Sequence, residues 1–421
     1  MNRPAIHCCL ALLVGYTWPQ GAGAELALKP ADYVAIVGDS ITEQKQYSVF
    51  MEDYFLMCQP VARLQATQFG WSGETSWGFA ARMANDMLRF QPTVATTCFG
   101  MNDGDYSPMT PDKAKHYREA QTSMVHGFKK AGIRVIVVGS PGCVDSDAFR
   151  NDPNAAIMYN TTLTEERDIA REVAQSEGVL SADVITPMIA AMTKAKVKYG
   201  KGYHLAGRDG IHPEQNGQLV MAYAYLKALG CSGEIGKISL DLQTNKAEAS
   251  EGHKVLSVDK GAVEIESSRY PFCFYGDPAQ PSSTRGVIEF LPFNQELNRL
   301  TLVVKNAPGN RCKVTWGSAS KEFNAADLSS GINLAAEFLD NPFSEPFQKV
   351  QAQVTAQQGY ETPMVKKLIT IVPQFQQLLP DASRDLERVA ASAMRRDKTL
   401  VDQSLAAVVP VRHKITIEPL K

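Results

Sequence analysis

The chain has 421 residues, 44% of them hydrophobic and 21% charged, with 43 basic against 45 acidic side chains and a formal net charge of −2. This composition excludes disorder as the dominant state and provides for two or three packed domains. The charge balance argues against a nucleic-acid binder, because phosphate recognition calls for a basic surface.

Met1 to Ala24 reads as a cleavable signal peptide. Arg3 supplies a short basic start, Ala5 to Tyr16 is apolar apart from His7, and Ala22-Gly23-Ala24 has the small-x-small cleavage pattern. The apolar run is too short to span a bilayer, and no later stretch is longer, so the expectation is a secreted or periplasmic protein with no stable membrane insertion. Two of the eight cysteines, Cys8 and Cys9, lie in this segment. The remaining six, Cys58, Cys98, Cys143, Cys231, Cys273 and Cys312, are widely spaced with no CxxC pair. That spacing speaks against zinc, and it leaves disulfide pairing open.

From Ala31 to Leu229 strand and helix patterns alternate. Strands are expected at Val34–Val37, Val61–Phe69, Thr93–Phe99, Ile133–Gly139 and Val179–Ala182. Helices are expected at Tyr47–Cys58, Trp77–Phe90, Asp112–Ala131, Ala155–Glu177 and Pro213–Leu229, the last with proline in its first turn. This alternation implies a parallel sheet covered on both faces, with ligands bound beyond the carboxyl ends of the strands. After Gly230 strand patterns follow one another without helices: Lys237–Leu242, Ala262–Glu266, Val287–Phe290, Arg299–Val304 and Lys313–Trp316. They suggest an antiparallel β module with its own core. Helical patterns follow at Glu345–Gln358, Met364–Leu379 and Ala382–Val408, with Pro373 expected to interrupt the second. Val411–Ile417 alternates and is expected to return to the β module as a strand. The organisation is therefore a signal at 1–24, an α/β domain at 31–229 and an accessory β/α region at 235–421.

Four short blocks carry chemistry. In Gly38-Asp39-Ser40-Ile41-Thr42-Glu43, Ser40 follows the first strand and precedes a helix, which suits a nucleophile; taken alone, a helix N-cap is the commoner role. In Asp209-Gly210-Ile211-His212-Pro213, a carboxylate three residues before an imidazole can hold one ring nitrogen and leave the other as a base. The alternative is a turn with capping groups. His204, eight residues before His212, lacks such a carboxylate and reads as a pocket-rim histidine. In Gly100-Met101-Asn102-Asp103, the Asn102 amide can donate into the strand-end crevice, or close an Asx-turn. Asp103 reads as a brace for that loop. In Phe69-Gly70-Trp71-Ser72-Gly73-Glu74-Thr75, a glycine lets a backbone N–H approach a ligand.

In this order the blocks resemble the SGNH (GDSL-type) hydrolase family, over Ala31 to about Leu229. Ile41 stands where the family name has leucine, and the second block lacks the asparagine often found before its glycines. The resemblance implies a three-layer α/β/α sandwich with a parallel sheet. It makes Ser40 the nucleophile, His212 the base and Asp209 its orienter. The oxyanion hole would comprise the Ser40 N–H, the Gly73 N–H and the Asn102 side chain, with Gly70 the alternative to Gly73. No cofactor or metal is implied, and no HExxH, EF-hand or Walker pattern occurs.

The expected activity is that of an exported serine esterase acting on short acyl esters, acetyl foremost, with acetylated glycan the expected substrate. No apolar lid segment stands out, which disfavours long-chain lipid. An O-acetyltransferase on glycan is the close rival, because an acyl-serine can pass its acyl group to a sugar hydroxyl. A glycan-binding or partner-binding role remains open for the C-terminal region. There Trp316 and Tyr270 are candidate sugar-stacking residues, although such aromatics more often fill cores.

Overall fold

The computed structural model describes residues 25–277 and 280–420. The segment read as a signal peptide lies outside them. Five parallel strands form the first sheet: β1 (Tyr33–Gly38), β2 (Gln65–Gln68), β3 (Val94–Cys98), β4 (Val135–Gly139) and β5 (Leu180–Ala182), in the order β2-β1-β3-β4-β5. The central strands β1, β3 and β4 are runs of apolar and small residues, as burial on both faces demands, whereas β2 carries Gln65 and Gln68 and β5 is exposed at Leu180 and Ser181. Around them run α1 (Ser40–Glu43), α2 (Tyr47–Asp53), α3 (Ser76–Asp86), α4 (Pro111–Lys130), α5 (Pro153–Ser176), α6 (Ile185–Tyr199) and α7 (Gln215–Ala228). Caps define several starts: Thr75, Thr110 and Asp152 each accept an N–H of the helix that follows, and Pro111 and Pro153 occupy first turns where no N–H is needed. The expected three-layer α/β/α sandwich is present.

Some local expectations need correction. The helix expected over Tyr47–Cys58 changes to a π turn at Tyr54–Cys58, where Gln59 N–H reaches Tyr54 O. Pro213 lies ahead of α7, whose N-cap is Glu214. Helix α6, absent from the sequence reading, buries Ile185, Met188, Met192 and Ala195 along one stripe.

Beyond residue 230 the strands are β6 (Glu234–Asp241), β7 (Lys246–Ala249), β8 (His253–Asp259), β9 (Ala262–Ser267), β10 (Arg299–Lys305), β11 (Arg311–Trp316), β12 (Ala319–Asn324), β13 (Ile332–Asn333) and β14 (Val411–Pro419). They form two sheets, β13-β10-β6-β7 and β12-β11-β14-β9-β8. The module is not wholly antiparallel, because β6 and β10 pair in parallel. The strand expected at Val287–Phe290 is a turn, closed by Phe290 N–H on Val287 O. Strands β7, β8 and β12 escaped the sequence reading because they are edge strands rich in charge. The terminal strand β14 does return, between β9 and β11. Short helices α8 (Phe293–Glu296), α9 (Ala325–Ser330) and α10 (Leu334–Glu337) precede α11 (Ser344–Met364), α12 (Val372–Leu378) and α13 (Ser383–Ala407). Pro373 sits in the first turn of α12, after the break at Thr370 and Ile371.

The β module does not have its own core. One apolar cluster runs from Val34 and Phe50 through Phe272 and Phe293 to Ile417. Phe50 on α2 meets Phe272 edge-on at 6.1 Å, and the Tyr54 hydroxyl donates to Leu297 O at 2.9 Å. Trp316 and Tyr270 are fully buried, so neither offers a face to a sugar. Trp316 Nε1 donates to His413 Nδ1 at 3.1 Å, and Ser267 Oγ links His413 to His253. The six cysteines are buried and free, with no disulfide among the described residues. Helix α11 covers the β2 edge and α2, and α13 packs on α11; together they bury Glu52, Glu361 and Asp397 with Gln357 and Gln358.

Candidate active site

In this strand order the chain crosses from one side of β1 to the other, so a crevice opens between the carboxyl ends of β1 and β3. Gly38 is level with Cys98, so the loops after the two strands emerge side by side. Ser40 begins the short helix after β1. Asp39, not Ser40, caps that helix by accepting Ile41 N–H at 2.9 Å, which leaves the Ser40 hydroxyl for other work. Burial raises the Asp39 carboxyl to about 7.

The Ser40 hydroxyl lies 2.8 Å from His212 Nε2. His212 Nδ1 is 2.6 Å from Asp209 Oδ2. The other Asp209 oxygen accepts the N–H groups of Ile211 and His212, both at 2.9 Å. One carboxylate thus closes the turn and holds the ring, so the turn and orienter readings are both true. Burial alone would raise Asp209, but the bonds from His212 and Ile211 outweigh it and hold the carboxyl below its ordinary value. His204 does not join this chain. Its Nδ1 faces Asp145 Oδ1 at 3.6 Å, on the wall of a groove lined also by Arg208, Glu214 and Ser282.

The second block curls over the end of β1, with Trp71 N–H on Gly38 O at 3.1 Å. Gly70 must be glycine: a Cβ there would stand 2.3 Å from Glu43 N. Its N–H is taken by Gln68 Oε1 at 3.0 Å. Gly73 has φ +74°, and its N–H has no partner among the described residues. Of the two glycines, only Gly73 has a donor to spare. Asn102 donates one amide hydrogen to Glu74 O at 2.9 Å and accepts from the Tyr106 hydroxyl at 3.3 Å, leaving its second hydrogen without a partner among the described residues. Asp103 braces the loops as expected, accepting from Ser76 N–H at 3.0 Å, from the Ser76 hydroxyl and from Gly100 N–H at 3.1 Å. Burial raises its carboxyl.

Several groups around the site were not singled out from sequence. Glu43 accepts from Ser72, Arg82 grips Glu74, and Gln68 holds Gly70. Glu43 was within a motif already quoted, but its partners are remote in sequence and no local pattern announces them. Among the described residues no cluster of His, Cys, Asp and Glu is arranged to hold a metal. Nor is any helix long and apolar enough to cross a membrane.

The parallel sheet, its switch-point crevice and the hydroxyl–imidazole–carboxylate chain define the architecture of a hydrolase. Residues 36–220 match the GDSL-like Lipase/Acylhydrolase family. Over that segment the chain is similar to the family, and the protein is a carboxylic-ester hydrolase. No curated protein matches the chain. Among solved structures, a gut microbial diltiazem-metabolizing enzyme is similar at a TM-score of 0.72 and 22% identity, over 93% of this chain and 98% of its own. That likeness takes in the fold of both halves. An alpha/beta hydrolase from the metagenome of Lake Arreo, Spain, is 24% identical over 49% of this chain and 99% of its own, with a TM-score of 0.39. An acetylxylan esterase from Geobacillus stearothermophilus is 18% identical over 48% of this chain and 96% of its own, with a TM-score of 0.40.

Proposed function

We propose that the protein is an exported serine esterase that removes short acyl groups, acetyl foremost, from carbohydrate. The observation that carries this reading is the unbroken chain Ser40–His212–Asp209 at the strand-end crevice. A serine hydroxyl near neutral pH needs a base, and His212 Nε2 is within reach of its proton. Ser40 Oγ attacks the ester carbonyl as that proton passes to His212, while Asp209 holds the imidazole by Nδ1–H. Negative charge gathers on the former carbonyl oxygen. The Ser40 N–H, the Gly73 N–H and the free Asn102 amide hydrogen stabilise it. The intermediate collapses to acyl-Ser40, and the protonated imidazole delivers its proton to the departing sugar alcohol. Water, activated by the same base, then releases the acid and restores Ser40.

Export rests on the pattern of Met1–Ala24. A series of 4-nitrophenyl esters of increasing chain length, run beside acetylated xylan and the Ser40→Ala variant, tests the reading. Activity should peak at acetyl, release acetate from the polymer and vanish in the variant. Preference for long acyl chains, or acetyl transfer to an added sugar in place of acetate release, would overturn it.

A further inference from the structure

The matched family segment ends at residue 220, yet the loop that carries Gly73 is held from beyond it. Helix α11 passes into a π turn at Val365–Ile369, in which Thr370 N–H bonds to Val365 O at 3.0 Å. Pro363, just before it, removes one N–H from the helical ladder. Such turns inside helices frequently mark functional positions.

Lys366 stands in this turn. Its ammonium donates to Glu43 Oε1 at 2.7 Å. The other Glu43 oxygen accepts the Ser72 N–H at 2.6 Å and also the Ser72 hydroxyl. Ser72 is the residue before Gly73. Both charged side chains are sheltered, at 23% and 19% exposure, so this is not a solvated surface pair of negligible worth. The Lys366 ammonium also lies 4.8 Å over the Trp71 ring, and the Arg82 guanidinium lies at the same distance from that ring. A second chain runs alongside. Gln68 donates to Thr362 of α11 at 2.6 Å and accepts Gly70 N–H through its carbonyl. The loop is thus tied to α11 and its π turn on both sides of Trp71.

We infer that Lys366 is a positioning residue for ester hydrolysis: through Glu43 it holds Ser72, and so sets the direction of the Gly73 N–H toward the acyl oxygen. The inference rests on the proposed role of Gly73 in the oxyanion hole. It gives the C-terminal helices a part in the chemistry of the first half without placing any of their atoms on the substrate. A donor that is misaimed by a fraction of an ångström binds the ground state almost as before, because a neutral carbonyl asks little of it. It fails the developing oxyanion, so kcat should suffer more than KM.

The test uses the full chain, 4-nitrophenyl acetate and a trifluoromethyl ketone that forms a tetrahedral adduct with the serine. Lys366→Met should lower kcat about 10- to 100-fold with KM within about twofold, and weaken the ketone by a similar factor. Lys366→Arg, which keeps a cation and a donor, should recover most of the loss. Glu43→Gln cuts the same chain one link nearer the loop. It should show the same loss, and combining it with Lys366→Met should add little, because residues in one network are not additive. Should Lys366→Met fail to fold, Glu43→Gln decides the matter. Wild-type kcat in either folded variant overturns the inference, as does a double variant whose loss is the product of the single losses. Ser40→Ala separates the two levels: turnover there removes the underlying site reading, whereas a dead Ser40→Ala beside an unimpaired Lys366→Met overturns the role of Lys366 alone.

Discussion

The carboxyl groups buried under α11 and α13 make stability depend on pH in a predictable direction. Burial pushes Glu52 from its ordinary 4.5 to about 7, and Asp397 from 3.8 to about 7. Burial also holds Glu361 well above its ordinary value, with Asp397 and Glu52 adding like charge. Glu52 accepts from Gln357 at 3.0 Å and Gln358 at 2.8 Å, and Glu361 accepts from Gln68 N–H at 2.8 Å. These bonds offset only part of the cost of burying charge. Because the folded-state values lie above the unfolded ones, the folded protein keeps protons that the unfolded chain releases. The stability tied to those protons is whole below the unfolded value and is lost as pH rises through the folded one. For Asp397 the shift from 3.8 to about 7 corresponds to on the order of 4 kcal/mol, of which about 3 falls between pH 5 and 7. Asp397→Asn removes that proton and keeps the shape. Urea unfolding followed by tryptophan fluorescence, at intervals from about pH 5 to 8, should show wild type losing on the order of 3 kcal/mol relative to the variant. A difference between the two proteins that stays flat across that range, or that grows in the opposite sense, would refute the argument.

Five further outcomes follow from the site and the core. Ser40→Ala should abolish ester hydrolysis while leaving the thermal midpoint near wild type, since its hydroxyl bonds only to His212 among the described residues; turnover in the folded variant counts against the nucleophile. Asn102→Ala should lower kcat by about 10²- to 10³-fold, roughly 3–4 kcal/mol, and a change confined to KM would contradict an oxyanion donor. Asp209 is held below the ordinary carboxylate range, so it should contribute no ionisation to the kcat–pH profile above about pH 4, and an acid limb there that disappears in Asp209→Asn would contradict this. Asp209→Asn should slow turnover by no more than His212→Ala does, as measured by kcat on 4-nitrophenyl acetate. Truncation after Gly230 should leave an insoluble or unfolded product, because Phe50 and its neighbours lose Phe272 and Phe293; a soluble, active fragment with a cooperative unfolding transition would contradict a shared core.

The sequence alone was enough to place the strands of the first sheet and the residues after their ends. Val34–Val37 and Ile133–Gly139 are nearly continuous apolar runs, and Thr93–Phe99 is built of small and β-branched residues, which suits a sheet covered on both faces. Ser40, Asp209, His212 and Asn102 stand in short blocks whose spacing is local, and local spacing survives without a structure. Whether the Gly70 N–H is already engaged was not legible, because its partner is a Gln68 side chain fixed by packing. Charged edge strands such as β8 hid because their pattern is set by exposure on one face, which composition alone does not reveal. The shared core, the buried carboxyls and the reach of Lys366 to Glu43 join residues hundreds of positions apart. Periodicity says which face of a helix is apolar but not which surface receives it. That is decided only when the sheets and helices pack, and here the packing carried α11 and its π turn to the loop beside Ser40.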